Sequence, residues 1–197
     1  SYSSFKMREG QDYQTQAWLN AVTQDSFTLE PSEEWSSDAW YIPDAPRTFF
    51  QTEWKVYNPG QASGVAIGGN LSTFALLHGT EFAPKPDKYI LFLEEAEEDH
   101  YVEFTRHFAA LLQVYPNPQA VLIGRFPKET EMTEEILLTI LDKHPILKKV
   151  PVLYDLDFAH TQPLFTITIG GQVEIDTKTF SITFSKKRIA PSLGTPF

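Results

Sequence analysis

Cysteine is absent from the 197 residues. Neither disulfides nor thiolate metal sites are therefore available, and the fold must be held by packing. No apolar run approaches the roughly 20 residues of a bilayer-spanning helix. Positive charge is scarce, with 16 Lys and Arg against 26 Asp and Glu, a formal net charge of −10. A protein that grips a nucleic-acid backbone or an anionic membrane normally carries a basic face, so both are argued against as partners. One small anionic ligand held by a local cation or by backbone N–H groups remains compatible with this balance. The amino terminus, Ser1-Tyr2-Ser3-Ser4-Phe5-Lys6, lacks the basic-then-apolar order of a signal peptide and has no initiator Met. Together with the missing cysteines, this leads us to expect a processed or truncated cytoplasmic protein.

What is present suffices for a large core: 42% of the residues are hydrophobic and 14% aromatic. Residues 1–50 read as a lead-in, with a short helix from about Asp12 to Thr23. A long loop follows over 25–50, punctuated by Pro31, Pro43 and Pro46 and studded with Trp35, Trp40 and Tyr41. Loops of this length are usually functional or disordered. Its aromatics either plug a satellite core or line a ligand site.

From residue 51 strands and helices alternate. Strands are expected at Gln51 to Tyr57, Gly64 to Gly68, Tyr89 to Leu93, Ala120 to Gly124 and Val150 to Leu156. Helices are expected at Leu71 to His78, Tyr101 to Tyr115 and Thr133 to Lys143. A meander of Leu164 to Ile169, Gln172 to Asp176 and Ser181 to Phe184 closes the domain, ending at about residue 185. The tail 186–197 reads as loose. The pattern predicts a three-layer α/β domain with a mixed sheet.

Three motifs carry possible chemistry. Ile90-Leu91-Phe92-Leu93-Glu94-Glu95 is an apolar strand running into carboxylates, and groups at strand ends of open α/β sheets often form sites. Glu94 lies nearer the sheet than Glu95; the alternative is a solvated acidic loop with Glu97, Glu98 and Asp99. Phe158-Ala159-His160-Thr161-Gln162-Pro163 places a lone His just past a strand and before a Pro. Such a His is either structural or catalytic, and the surrounding Asp155 and Asp157 make a poor metal set because His160 lies beyond their strand face. A carboxylate and an imidazole at neighbouring strand ends would be two thirds of a Ser-His-Glu triad, yet no Ser sits in a convincing nucleophile turn. The third motif, Gly68-Gly69-Asn70, joins a strand to a helix start, where N–H groups can hold an anion. It matches no nucleotide fingerprint.

In order along the chain, several pieces resemble the carboxyl-terminal domain of the LD-carboxypeptidase family of serine peptidases. They are Gly-Gly-Asn-Leu-Ser-Thr at 68–73, Gly79-Thr80, Leu-Phe-Leu-Glu-Glu at 91–95, Ile123-Gly124-Arg125-Phe126, Pro151-Val152-Leu153, His160-Thr161-Gln162-Pro163 and Ile169-Gly170. The loop Pro31 to Trp40 is similar to the branch that includes microcin C self-immunity proteins. The resemblance implies a swivelling β/β/α domain. It also implies catalytic Glu94 and His160, a substrate site involving Gly69, Asn70, Trp35 and Trp40, and neither metal nor cofactor. It further implies a nucleophilic Ser in an amino-terminal domain preceding Ser1, a murein-peptide or aminoacyl-nucleotide substrate, and a homodimer. Glu98 departs from the pattern, since nucleotide-processing relatives tend to be basic there. Apart from the amino-terminal domain, the fragment is expected to be inactive and its loop 30–46 poorly ordered or rearranged. The competing expectation is a non-catalytic module that binds a peptide or nucleotide.

Overall fold

The computed structural model describes residues 10–39, 41–42 and 44–186. Helix α1 (Gln11–Thr23) leads into β1 (Ser26–Leu29), β2 (Glu34–Trp35), β3 (Phe50–Gln51), β4 (Lys55–Asn58) and β5 (Gln61–Asn70). Then come α2 (Leu71–Ala75), β6 (Tyr89–Glu94), α3 (Tyr101–Val114), β7 (Ala120–Gly124), α4 (Glu134–Asp142), β8 (Val152–Leu156), β9 (Gln172–Asp176) and β10 (Ser181–Ser185). Eight strands form one mixed sheet in the order β1-β10-β9-β5-β6-β7-β8-β4, and β2 pairs with β3 in a small second sheet. The four central strands β5, β6, β7 and β8 run parallel; the flanking pairs are antiparallel.

The sequence dictates this order of layers. Strand β6 up to its final Glu94 and strand β7 throughout are apolar runs, and every residue of both is buried, as central parallel strands require. Alternate residues of β6 feed two separate cores. Leu91 and Leu93 pack with α3 and α4 through Phe104, Phe108, Leu111, Leu137 and Leu141. Ile90 and Phe92 point the other way, to a core containing Ala21 of α1, Trp54, Phe158, Phe165 and the flanking strands. Helix α3 buries Phe104, Phe108, Leu111 and Leu112, one stripe at helical spacing. Thr133 caps α4 by accepting from the Ile136 N–H at 3.2 Å, with Glu134 and Glu135 in the first turn, where the helix dipole favours them. The mixed α/β architecture and all three central helices match the expectation from sequence.

Three expectations are corrected. Residues 25–50 are not one loop: Phe27 and Leu29 alternate with polar residues and add β1 to the sheet edge against β10, with Phe27 stacked on Phe184. The segment Leu164 to Ile169 is not a strand. Its backbone bonds elsewhere, with the Phe165 N–H donating to the Asp157 carbonyl at 2.8 Å, and Phe165 packs inward as part of the second core. The strand expected at Gln51 to Tyr57 is split, because Phe50 and Gln51 pair with β2 while Trp54 turns inward ahead of β4. Of the expected tail, only Lys186 belongs to the described residues.

Candidate active site

The parallel strands end together, and their carboxyl ends collect the polar groups. Strand β5 lies beside β6 with Asn70 in register with Glu94. This close pairing needs glycine at position 68: its φ is +120°, and a Cβ there would sit 2.1 Å from the Phe92 carbonyl oxygen. Asn70 closes the turn. Its side-chain oxygen accepts from the Thr73 N–H at 3.0 Å and from the Ser72 hydroxyl at 2.9 Å. With the oxygen so engaged, the Asn70 amide nitrogen is left as a donor. Gly69 has φ +136° and open space where a Cβ would be.

Glu94, the last residue of β6, is buried on the face of the second core, and its side chain is 10% exposed. Its Oε2 lies 2.8 Å from Nδ1 of His160. The carboxylate therefore fixes the imidazole with the proton on Nδ1, and no described residue hydrogen-bonds Nε2. The histidine side chain is 42% exposed, so its outer edge reaches solvent. The hydrogen bond to Glu94 raises the His160 pKa above 6.5 and outweighs the opposing effect of burial; the Glu97 and Glu98 carboxylates add to the rise.

The neighbouring Glu95 behaves differently because the strand pleat turns it to the helix side. It is 1% exposed and neither oxygen has a hydrogen-bond partner in normal geometry. Burial above all, joined by the Asp99 and Glu94 carboxylates and opposed by the Ser72 N–H, pushes its carboxyl up to about 8. Of the two adjacent glutamates, one meets a histidine and the other is a buried neutral acid at pH 7.

The turn carrying His160 follows β8 and crosses the end of β7. Gly124 permits the crossing, since a Cβ there would stand 2.1 Å from the Phe158 carbonyl oxygen. Ala159, directly before His160, has φ +132°, a strained value for a residue with a side chain. Strain of this kind persists where the surroundings overdetermine the backbone, and here they do. Asp157 is fully buried and accepts four hydrogen bonds: from Arg125 Nη1 at 2.9 Å, Trp54 Nε1 at 2.8 Å, the Ser32 N–H at 3.0 Å and the Ser32 hydroxyl at 2.9 Å. Two residues beyond the histidine, Gln162 exchanges backbone hydrogen bonds with Ser36 at 2.8 and 2.9 Å.

Glu94, His160, Gly69 and Asn70 thus gather at one sheet edge. Trp35 is packed on Phe50, with the Arg125 guanidinium 4.6 Å from the centre of its ring. Of the two roles expected for the aromatics of this loop, Trp35 takes a packing one, its partners being residues of this chain. Tyr41 and Ile42 are exposed, and Trp40 lies outside the described residues. Sequence reasoning missed Arg125 and Asp157 as a unit. The signal was Gly124-Arg125, a cation directly after a buried strand, opposite the lone acids beside β8. Among the described residues, no three His, Asp or Glu side chains converge to hold a metal ion, and no helix is long and apolar enough to cross a membrane.

Residues 63–175 match the family of LD-carboxypeptidase C-terminal domains. The chain is 32% identical over 179 residues to the protein named "Putative carboxypeptidase YocD" of Bacillus subtilis, a match covering 89% of this chain and 55% of that protein. It is 27% identical over 170 residues to the microcin C7 self-immunity protein MccF of Escherichia coli, covering 80% and 48% respectively. Among solved structures, an MccF-like protein from Bacillus anthracis superposes with a TM-score of 0.87 at 35% identity, covering 94% of this chain and 59% of that one. The chain spans about half the length of the curated relatives it matches.

Proposed function

The chain belongs to the family of LD-carboxypeptidase C-terminal domains, and on that premise we propose that it is the carboxyl-terminal half of a serine carboxypeptidase. It supplies the base, His160, and the acid that orients it, Glu94. The nucleophilic Ser comes from outside these 197 residues, in an amino-terminal domain of the same protein. The carrying observation is the 2.8 Å contact between Glu94 Oε2 and His160 Nδ1, with the opposite edge of the ring open.

From this geometry the chemistry follows. His160 Nε2 takes the proton of the serine hydroxyl as its oxygen attacks the scissile carbonyl, then gives that proton to the leaving amine. Glu94 holds the tautomer that leaves Nε2 as an acceptor and stabilises the imidazolium formed midway. Because the base works only when neutral, and its pKa is raised above 6.5, activity should rise with pH through a value above 6.5. Asn70 and Gly69, beside Glu94, offer an amide donor and an uncrowded backbone for a substrate polar group.

The substrate is an amide next to a free or nucleotide-linked carboxyl end: a murein tetrapeptide or an aminoacyl-nucleotide. MccF has been solved with glutamyl sulfamoyl guanosine and with aspartyl sulfamoyl adenosine. Glu97 and Glu98 bring negative charge to bear on His160, which weighs against a substrate that places an acidic group at this rim.

The test is release of D-Ala from a murein tetrapeptide, and of Asp or Glu from the corresponding aminoacyl-sulfamoyl adenosine, by the full-length protein. One of these should be hydrolysed, and His160→Ala should abolish it. The present chain alone should match the buffer blank. A full-length protein that binds either compound but releases no product would instead be a non-catalytic binding module. Turnover by this chain alone would place the nucleophile within it.

A further inference from the structure

The segment 157–162, which carries His160, is laced at both ends to the segment 32–36. At one end Ser32 donates twice to Asp157. At the other Ser36 and Gln162 form a two-bond bridge. His160 sits between the two ties. Arg125 joins them from below: it pairs with Asp157 at 2.9 Å, donates from Nη2 to the Asp155 carbonyl at 2.9 Å, and lies under the Trp35 ring.

We propose that the segment 32–36 is the seat of His160 rather than a cover over it, with Ser32, Arg125 and Asp157 acting as positioning residues for the base. The inference rests on the reading of His160 as that base. A charge pair buried this deeply, with Arg125 and Asp157 both 3% exposed or less, is weak evidence for stability, because desolvation offsets much of the attraction. Its better-attested use is to select one arrangement. Here the acid is saturated by four donors arriving from β7, from residue 54 and from the aromatic segment, so Asp157 has one place to be. Three residues later His160 inherits that constraint, which holds the strained Ala159 in place and aims the ring at Glu94. A consequence is coupling: a substrate that moves Trp35 also moves the guanidinium stacked on it, and through Asp157 the base.

The experiment uses this chain with 15N-labelled histidine and compares wild type, Ser32→Ala, Ser32→Thr and Asp157→Asn by NMR titration of His160. Ser32→Ala keeps a dispersed, folded spectrum. In it the His160 midpoint falls from its raised value toward 6.5, and the Nδ1 proton signal of the Glu94 hydrogen bond broadens. Ser32→Thr, which keeps the hydroxyl, restores both. In the full-length protein, Ser32→Ala lowers kcat by roughly 10- to 100-fold, as expected of a small misplacement of a catalytic group, while KM changes far less. If Asp157→Asn fails to fold, Ser32→Ala decides alone. A folded Ser32→Ala with an unchanged His160 titration overturns the proposal. Glu94→Gln must lower the midpoint in either case and serves as the control. Absence of any hydrolysis by the full-length wild type would defeat the peptidase reading but leave the titration result standing.

Discussion

Replacing Gly124 with Ala tests how the base is carried past the sheet. The new Cβ would lie 2.1 Å from the carbonyl oxygen of Phe158 and 3.1 Å from its ring carbon Cδ2. Ordinary contact begins near 3.4 Å, so the two backbones must separate by about 1.3 Å, since close-packed interiors offer no slack. Strand β7 cannot give way, being paired on both sides with all five residues buried. Asp157 cannot give way either, because it is held by four donors. The displacement therefore falls on residues 158–160. A shift of that size takes the 2.8 Å bond between His160 and Glu94 beyond hydrogen-bonding range. Two readouts follow. In this chain, the NMR titration midpoint of His160 should drop toward 6.5, and urea unfolding should show a loss of about 1–3 kcal/mol, the usual cost of overpacking. In the full-length protein, kcat should fall by roughly 100-fold. A folded Gly124→Ala protein with wild-type stability and an undisturbed His160 midpoint would refute the reasoning, because the crossing would then tolerate what the geometry forbids.

Further predictions address charge and packing. Glu94→Gln in the full-length protein should reduce kcat by about 10⁴-fold, the scale seen when an orienting carboxylate becomes an amide, and should move the acid limb of the pH profile toward 6.5. Since the His160 pKa is raised on folding, its pairing stabilises the fold fully below about 6.5 and is lost as pH climbs through the folded value; urea midpoints of wild type and His160→Gln should converge at alkaline pH. Glu95 runs with a different origin: its carboxyl, raised from 4.5 to about 8 by burial, stays protonated in the fold while the unfolded chain ionises. Stability should thus fall between pH 4.5 and 8, and Glu95→Gln should recover about 1–3 kcal/mol at pH 8 in urea titrations. Truncating Arg125 to Met leaves the buried Asp157 uncompensated, with an expected loss of about 3–5 kcal/mol by the same assay.

Elements whose burial is written into their own residues were legible in the sequence. Tyr89 to Leu93 and Ala120 to Gly124 are apolar without interruption, as buried central strands require. Phe104, Phe108, Leu111 and Leu112 recur at helical spacing, so they could only face a sheet. Glu94 and His160 were visible for a related reason: each is a polar residue placed where an apolar run stops. Local chemistry likewise accounts for the Asn70 and Thr133 caps, because capping needs only residues three apart.

Tertiary structure decided whatever depended on partners distant in the chain. Strand β1 is four residues long and becomes a strand only by pairing with β10, some 155 positions away. Residues 164–169 alternate like a strand yet have no edge to join, since Gln172–Asp176 occupies the place beside β5. The sequence placed Glu94 nearer the sheet than Glu95 but did not say how their surroundings differ. Only the pleat sends one to a histidine and the other into a buried place on the opposite face, beside Asp99, and with that decides which is paired and which is neutral. The union of Ser32, Trp54, Arg125 and Asp157 is signalled in the sequence only by the cation that follows a buried strand at Gly124-Arg125; nothing local assigns its other members. It exists because the ends of β7 and β8 meet the start of β4 and the segment before β2, and the carboxylate buried there gathers the donors that these bring.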